Sequence, residues 1–283
     1  MPIRTVAVLG AGQMGAGIAQ VAAASGYDVV MRDVEERFLA SGFSKIERSL
    51  QRSVEKGALD TASARLIRDR IQGTLDLAAA AKVDLVIEAV PEDPVLKKSV
   101  LQEIDGSAAP HTVFASNTSS IGIGELASVT RRPDRFVGMH FFNPVPVMKL
   151  VEVVRGKSTS EETMRLALEV CARMGKTAVE VHDFPGFVSN RVLMPMINEA
   201  ILALQDGVAT REAIDTVMRL GANHPMGPLE LADFIGLDTC QNIMEVLQEG
   251  FHSEKYAPAP LLRRMVSQGK LGKKAGHGFY DYP

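Results

Sequence analysis

Residues 5–15 read TVAVLGAGQMG, a continuous apolar run from Thr5 to Leu9 that passes directly into Gly10-Ala11-Gly12-Gln13-Met14-Gly15. A short run that is apolar at every position is what a parallel strand buried on both faces requires. The glycines follow at G-x-G-x-x-G spacing. Gly10 permits the tight turn out of the strand, Gly12 lets backbone approach a pyrophosphate, and Gly15 allows the next helix to pack closely on the strand. Gln13 and Met14 complete the loop. An alanine-rich helix from about Met14 to Ala24 should end at Gly26, and Tyr27 to Met31 should form a second strand.

That strand closes on Arg32-Asp33. An acid there accepts hydrogen bonds from an adenosine ribose and repels a 2′-phosphate, which favours NAD over NADP. Arg32 pulls the other way, because a guanidinium can stack on adenine or pair with a phosphate. The plain alternative for Asp33 is a solvated acid ending a strand.

Further along, Phe43, Ile46, Leu50 and Val54 recur at helical spacing and should face the core. Ser49, Arg52 and Lys56 share another face of that helix. Such a stripe is usually just solvated, but a phosphate-bearing substrate would find here one of the few basic faces near the nucleotide fold. Asp60 is placed to cap a helix from Ala62 to Asp69, and Ile71 to Leu75 fits a further strand. Val83 to Val90 is the next buried strand, and Pro91-Glu92 closes it at the carboxyl end, where α/β sheets bind ligands. Lys97 lies one turn into the following helix. Glu92 and Lys97 are candidates for the nicotinamide-ribose side of a cofactor, and a surface ion pair fits the spacing equally. After the strand Thr112 to Ala115 comes Ser116-Asn117-Thr118-Ser119-Ser120, a cap for a helix beginning near Ile121 or a set of donors to a substrate oxygen.

The most conspicuous ionisable group lies in VGMHFFNPVPVMKLVE, residues 137–152. His140 ends a strand-like apolar run that must turn at Asn143-Pro144. Glu152 sits in the returning run, where period-2 alternation points it away from Val151 and Val153. A histidine and a carboxylate so placed can pair as a general base with its orienting partner. The competing reading is a core histidine bonded to backbone.

At 283 residues the chain has room for about two domains. With 46% hydrophobic residues, 23% charged and a net charge of −3, nothing global attracts nucleic acid or an anionic membrane, so any anionic ligand must meet a local cluster. Cys171 and Cys240 lie in apolar helical patterns without metal-ligand spacing and read as buried thiols in a reducing compartment. No apolar run reaches a membrane span, and Met1-Pro2-Ile3-Arg4 does not open a signal peptide, so a cytoplasmic location is expected. Thr163 to Met174 forms an amphipathic helix and Thr177 to Val181 a last strand. The turn-rich Asp183-Phe184-Pro185-Gly186 then divides an α/β pattern from a helical one. The expected fold is therefore α/β, a Rossmann-type doubly wound, mostly parallel sheet over 1–184, followed by a smaller all-α domain over 185–283. In the second part Leu193, Met196, Ile197, Ala200, Ile201 and Leu204 form a broad stripe that faces either a partner subunit or its own core. His224, in a Pro/Gly turn with no carboxylate evident nearby, reads as structural.

These motifs resemble the L-3-hydroxyacyl-CoA dehydrogenase family, and within it the bacterial members acting on 3-hydroxybutyryl-CoA. The resemblance is carried by VLGAGQMGAG (8–17), ASNTSS (115–120), GMHFFNPVPVMKLVE (138–152), PGFVSNR (185–191), LGANHPMGPLEL (220–231) and GKKAGHGFYDY (272–282). It implies His140 as catalytic base, Glu152 as the carboxylate paired with it, and Ser119 and Asn190 as residues that hydrogen-bond the reacting oxygen or the thioester. It implies cofactor contacts at Asp33, Glu92, Lys97, Asn117, Asn143 and Lys274, and coenzyme A contacts at Ser49 and Lys56, with Arg52 on the same face. Ser189 departs from the aliphatic residue expected before Asn190-Arg191. The implied partners are NAD, an acyl-CoA substrate and a second copy of the chain joined through the helical domain, without nucleic acid, membrane or metal. Two other classes compete: a dehydrogenase of free hydroxy or sugar acids on this fold, and a non-catalytic dinucleotide-binding or structural protein.

Overall fold

The computed structural model describes residues 2–283. Two compact units result, one reaching Phe184 and the other beginning at Pro185.

The first unit is built on eight strands: β1 (Thr5–Leu9), β2 (Asp28–Arg32), β3 (Ile71–Thr74), β4 (Leu85–Glu88), β5 (Val113–Ser116), β6 (Phe136–Phe141), β7 (Leu150–Arg155) and β8 (Thr177–His182). They lie in the order β3-β2-β1-β4-β5-β6-β7-β8. The first six run parallel, β7 returns antiparallel to β6, and β8 lies parallel to β7. The order reverses between β1 and β4, so a crevice opens at their carboxyl ends, where doubly wound sheets take ligands. Burial follows position. Every residue of β4, β5 and β6 is buried, whereas the edge strands β3 and β8 each bury a single residue, Ile71 and Val181.

Among the described residues this unit has seven α-helices: α1 (Gln13–Ala24), α2 (Glu36–Glu55), α3 (Thr61–Asp69), α4 (Leu77–Ala80), α5 (Pro94–Ser107), α6 (Ile123–Ala127) and α7 (Glu161–Arg173). Their starts follow capping chemistry: Asp60 accepts from Ser63 N, Asp93 from Val95 N and Leu96 N with Pro94 next, and Ser160 from Thr163 N. One core cluster joins Val8, Ile18, Met31, Ile46, Met139, Val151, Met164 and Cys171. α2 starts at Glu36, well before Phe43, with an acid in its first turn and no side-chain cap from Glu35. The hydroxyl run after β5 does not cap α6. Asp183 takes the N–H groups of Ile123 and Gly124 at 2.9 and 2.8 Å, while the hydroxyls of Thr118, Ser119 and Ser120 turn to Glu92.

The second unit is helical: α8 (Ser189–Gln205), α9 (Arg211–Gly221), α10 (Pro228–Ile235), α11 (Leu237–Phe251) and α12 (Pro260–Ser267). Ile197, Ala200 and Ile201 of the α8 stripe enter its core with Leu229, Leu237, Cys240 and Leu247, while Leu193, Met196 and Leu204 are only partly covered. Two buried acids fasten the chain's end to this core. Asp215 accepts from Leu229 N, Glu230 N and Tyr280 Oη, and Asp233 from Phe279 N, Tyr280 N and Tyr282 Oη. Among the described residues no helix is long and apolar enough to cross a membrane.

Candidate active site

The three loop glycines have separable roles. Gly10 adopts φ +99°, and a Cβ there would stand 2.6 Å from Ala89 O. A Cβ on Gly15 would fall 1.8 Å from Gly10 O, inside any allowed contact. Both are therefore demanded by the fold. Gly12 differs: its Cβ would meet nothing within 4 Å, so open space lies in front of it. It also caps α1 without a side-chain hydrogen bond, and the first turn of α1 has no acid. The N–H groups of that turn and the positive end of the helix dipole are thus left for an anion from outside the chain. A dinucleotide pyrophosphate fits this arrangement.

Asp33 braces the same loop. Its carboxylate accepts from Ala11 N and Val34 N, each at 2.7 Å. Arg32 turns its Nε to Leu75 O at 3.3 Å, at the end of β3. Met14 packs against the core, and Gln13 Nε2 reaches Asn143 Oδ1 at 3.4 Å. The segment after β6 is thereby drawn to the glycine loop, and Val145 seats against Gly17 of α1, where a Cβ would be 2.9 Å away.

β6 and β7 pair with His140 directly opposite Glu152. Nδ1 and Oε2 are 2.8 Å apart in a site where His140 is 8% and Glu152 3% exposed. An ionised carboxylate only accepts, so Nδ1 is the donor of this bond. The Phe142 ring lies 4.7 Å from the imidazole. On the neighbouring strand's exit, Asn117 Oδ1 accepts from Phe141 N at 2.9 Å, which ties the turn bearing Ser119 to the residue beside His140. Ser119 N and Oγ both donate to Glu92 Oε1, at 2.8 and 3.2 Å.

Of Glu92 and Lys97 only the acid reaches the surface, its side chain 38% exposed. The Lys97 side chain is 1% exposed and lies 2.8 Å from Glu88 and 3.2 Å from Glu92. For Glu92, burial raises the carboxyl pKa, but the Lys97 ammonium and the hydrogen bonds from Thr118 and Ser119 outweigh it and hold the group below its usual range. Sequence reasoning missed Glu88; its one signal was an acid interrupting the apolar run of β4.

The remaining candidates are more scattered. Ser49, half-buried, and the exposed Arg52 lie towards the end of α2, and the exposed Lys56 caps it. In the second unit Asn190 is buried in the first turn of α8, and Lys274 is held 2.6 Å from Asp238. His111 and His277 have acidic neighbours, Asp84 at 3.4 Å and Asp281 at 2.9 Å, yet both rings are largely exposed. His224 donates its backbone N–H to Met218 O. No group of three or more His, Cys, Asp or Glu among the described residues is arranged to hold a metal ion.

Residues 5–184 match the family described as 3-hydroxyacyl-CoA dehydrogenase, NAD binding domain, and residues 186–282 match 3-hydroxyacyl-CoA dehydrogenase, C-terminal domain. A probable 3-hydroxybutyryl-CoA dehydrogenase of Bacillus subtilis is 55% identical over 282 residues, 100% of this chain and 98% of that protein. The mitochondrial hydroxyacyl-coenzyme A dehydrogenase of Homo sapiens is 44% identical over 289 residues, 99% of this chain and 91% of that one. The crystal structure of an (S)-3-hydroxybutyryl-CoA dehydrogenase from Ralstonia eutropha matches with a TM-score of 0.97 and 48% identity over 99% of each chain.

Proposed function

The chain belongs to the 3-hydroxyacyl-CoA dehydrogenase family, and from that premise we propose that it interconverts (S)-3-hydroxybutyryl-CoA and acetoacetyl-CoA with NAD, His140 being the general base and acid. The observation that carries this reading is the buried His140–Glu152 pair, 2.8 Å apart, on the strand next to the one whose exit bears Ser119. Nε2 of His140 takes the proton from the substrate's 3-hydroxyl, and Glu152 stabilises the imidazolium that forms. Bound NAD supplies the hydride acceptor. In reduction the imidazolium returns the proton to the ketone oxygen. Ser119 holds the reacting oxygen or the thioester carbonyl in line for that transfer.

The open space at Gly12 and the uncapped start of α1 suit the pyrophosphate, and Asp33 favours a free adenosine ribose over a phosphorylated one. Arg32, Glu92, Lys97, Asn117 and Asn143 complete the proposed nucleotide contacts. Ser49, Arg52 and Lys56 form the basic face offered to the phosphates of coenzyme A. The partly covered Leu193, Met196 and Leu204 support a homodimer formed through the helical unit, and the composition supports a cytoplasmic protein.

Following nicotinamide absorbance with purified protein tests the whole reading. NADH should be consumed with acetoacetyl-CoA, far more slowly with NADPH, and not with free acetoacetate. Turnover of the free acid at the thioester's rate would replace the acyl-CoA reading with the hydroxy-acid one, and NADH binding without turnover of either would leave a non-catalytic protein.

A further inference from the structure

Glu88 ends β4 between Ile87 and Ala89, at 0% exposure, where an ionised carboxylate is costly unless fully bonded. It is fully bonded. Lys97 Nζ donates to Oε1 at 2.8 Å, Val90 N to Oε1 at 2.7 Å, and Ser116 Oγ to Oε2 at 2.6 Å. Lys97 spends its other donors on Val90 O at 3.1 Å and Glu92 Oε2 at 3.2 Å. Glu92 Oε1 then collects Thr118 Oγ1 at 2.6 Å together with both Ser119 and Ser120, each through N–H and hydroxyl. From the other side Ser116 Oγ accepts Thr118 N at 3.2 Å. The bonds close a ring from Glu88 through Lys97, Glu92, Thr118 and Ser116 back to Glu88. Both arms leaving Glu88 end on the turn that carries Ser119.

The charges explain why a second carboxylate is needed. Lys97 beside Glu92 alone would be a neutral pair with the ammonium drawn onto Glu92. Glu88 supplies Lys97 with a counter-charge from the sealed side, so the trio keeps one net negative charge and Glu92 keeps its grip on residues 118–120. Resting on the nucleotide contacts proposed above for Glu92 and Lys97, we propose that Glu88 is a positioning residue, which acts through Lys97 and Ser116 to hold Glu92 and the Ser119 turn in place for the nicotinamide ribose. Shut away from solvent, it works only through those partners.

The test is NADH affinity, read by fluorescence titration of the full chain, for the parent, Glu88→Gln, Lys97→Met and the double variant, with far-UV dichroism as the folding control. Gln keeps the size and an acceptor for Ser116 but removes the charge. Glu88→Gln should weaken NADH binding by about tenfold, the worth of one charge-assisted bond. The KM for acetoacetyl-CoA should move less than the NADH affinity does. Because Glu88 acts through Lys97, the double variant should bind NADH no more weakly than Lys97→Met alone. Parental affinity in folded Glu88→Gln, or penalties that add in full, overturns the proposal. If Glu88→Gln alone does not fold, Lys97→Met and the double variant, which buries no unmatched charge, decide by the same equality. The titration needs no acyl substrate. A parent that fails to reduce acetoacetyl-CoA while the affinity pattern holds therefore overturns the substrate assignment and leaves Glu88 standing.

Discussion

His140 and Glu152 face one another in register across the antiparallel pair β6 and β7, with Nδ1 and Oε2 2.8 Å apart. Period-2 parity puts both on the face opposite Met139, Phe141, Val151 and Val153, which belong to the main core. His140→Gln should therefore fold and bind NADH but lose about a thousandfold in kcat, within the range general acid–base catalysis contributes. Glu152→Gln should lose about a hundredfold, since an amide does not favour the imidazolium. Steady-state rates with acetoacetyl-CoA, beside thermal melts, decide; parental turnover by folded His140→Gln ends the assignment.

The glycine loop allows a contrast between fold and binding. A Cβ on Gly15 lands 1.8 Å from Gly10 O, so Gly15→Ala should lower the melting temperature markedly. Gly12→Ala meets nothing within 4 Å and should change stability by less than about 0.5 kcal/mol. Yet it fills the space a pyrophosphate would use, and NADH affinity should fall by about tenfold or more. Equal NADH affinities for Gly12→Ala and the parent would place the nucleotide elsewhere.

These two relationships were legible in the sequence for physical reasons. The Thr5–Leu9 run is of the kind a doubly buried parallel strand shows, and parity alone puts Glu152 on one face of its strand. What could not be read is whatever depends on distant chain. Lys97 and Lys98 are adjacent and chemically alike, but one side chain is 1% exposed and the other 35%. Lys97 points to Glu88 and Glu92, whereas Lys98 points to Glu125. The hydroxyls after β5 could be read as a helix cap or as donors to a substrate oxygen, because nothing local reveals that Asp183 takes the capping role from the end of the last strand. The early start of α2 was hidden similarly, by a charged first turn without a capping side chain.

The end of α2 supplies a prediction about substrate rather than cofactor. Arg52 and Lys56 are exposed, so each contact with a coenzyme A phosphate is screened and modest. Arg52→Ala and Lys56→Ala should each raise the KM for acetoacetyl-CoA by about threefold, with the effect fading at high salt, and leave NADH affinity unchanged. A pantetheine thioester lacking the nucleotide phosphates should not distinguish the variants from the parent. If it does, these side chains matter to the fold and not to phosphates.

Alkaline behaviour should be set mainly by the helical unit. Burial pushes the Cys171 and Cys240 thiols up to about 12, and for Cys240 the nearby Asp238 and Asp233 carboxylates add to it. Tyr280 and Tyr282 are raised as well, first by burial and then by the Asp215 and Asp233 carboxylates that accept their hydroxyls. An unfolded thiol ionises near pH 8.5 and an unfolded phenol near 10, so above those values the unfolded chain holds fewer protons than the folded one. The stabilisation is complete below about pH 8.5 and is lost progressively towards about 12. Three of these four groups lie beyond Pro185, so Cys240→Ala combined with Tyr282→Phe should flatten the decline of melting temperature with pH more than Cys171→Ala does. At neutral pH neither thiol should react with a disulfide reagent until denaturant is added. Rapid labelling of the native protein, or a melting temperature unchanged to about pH 11, contradicts this account.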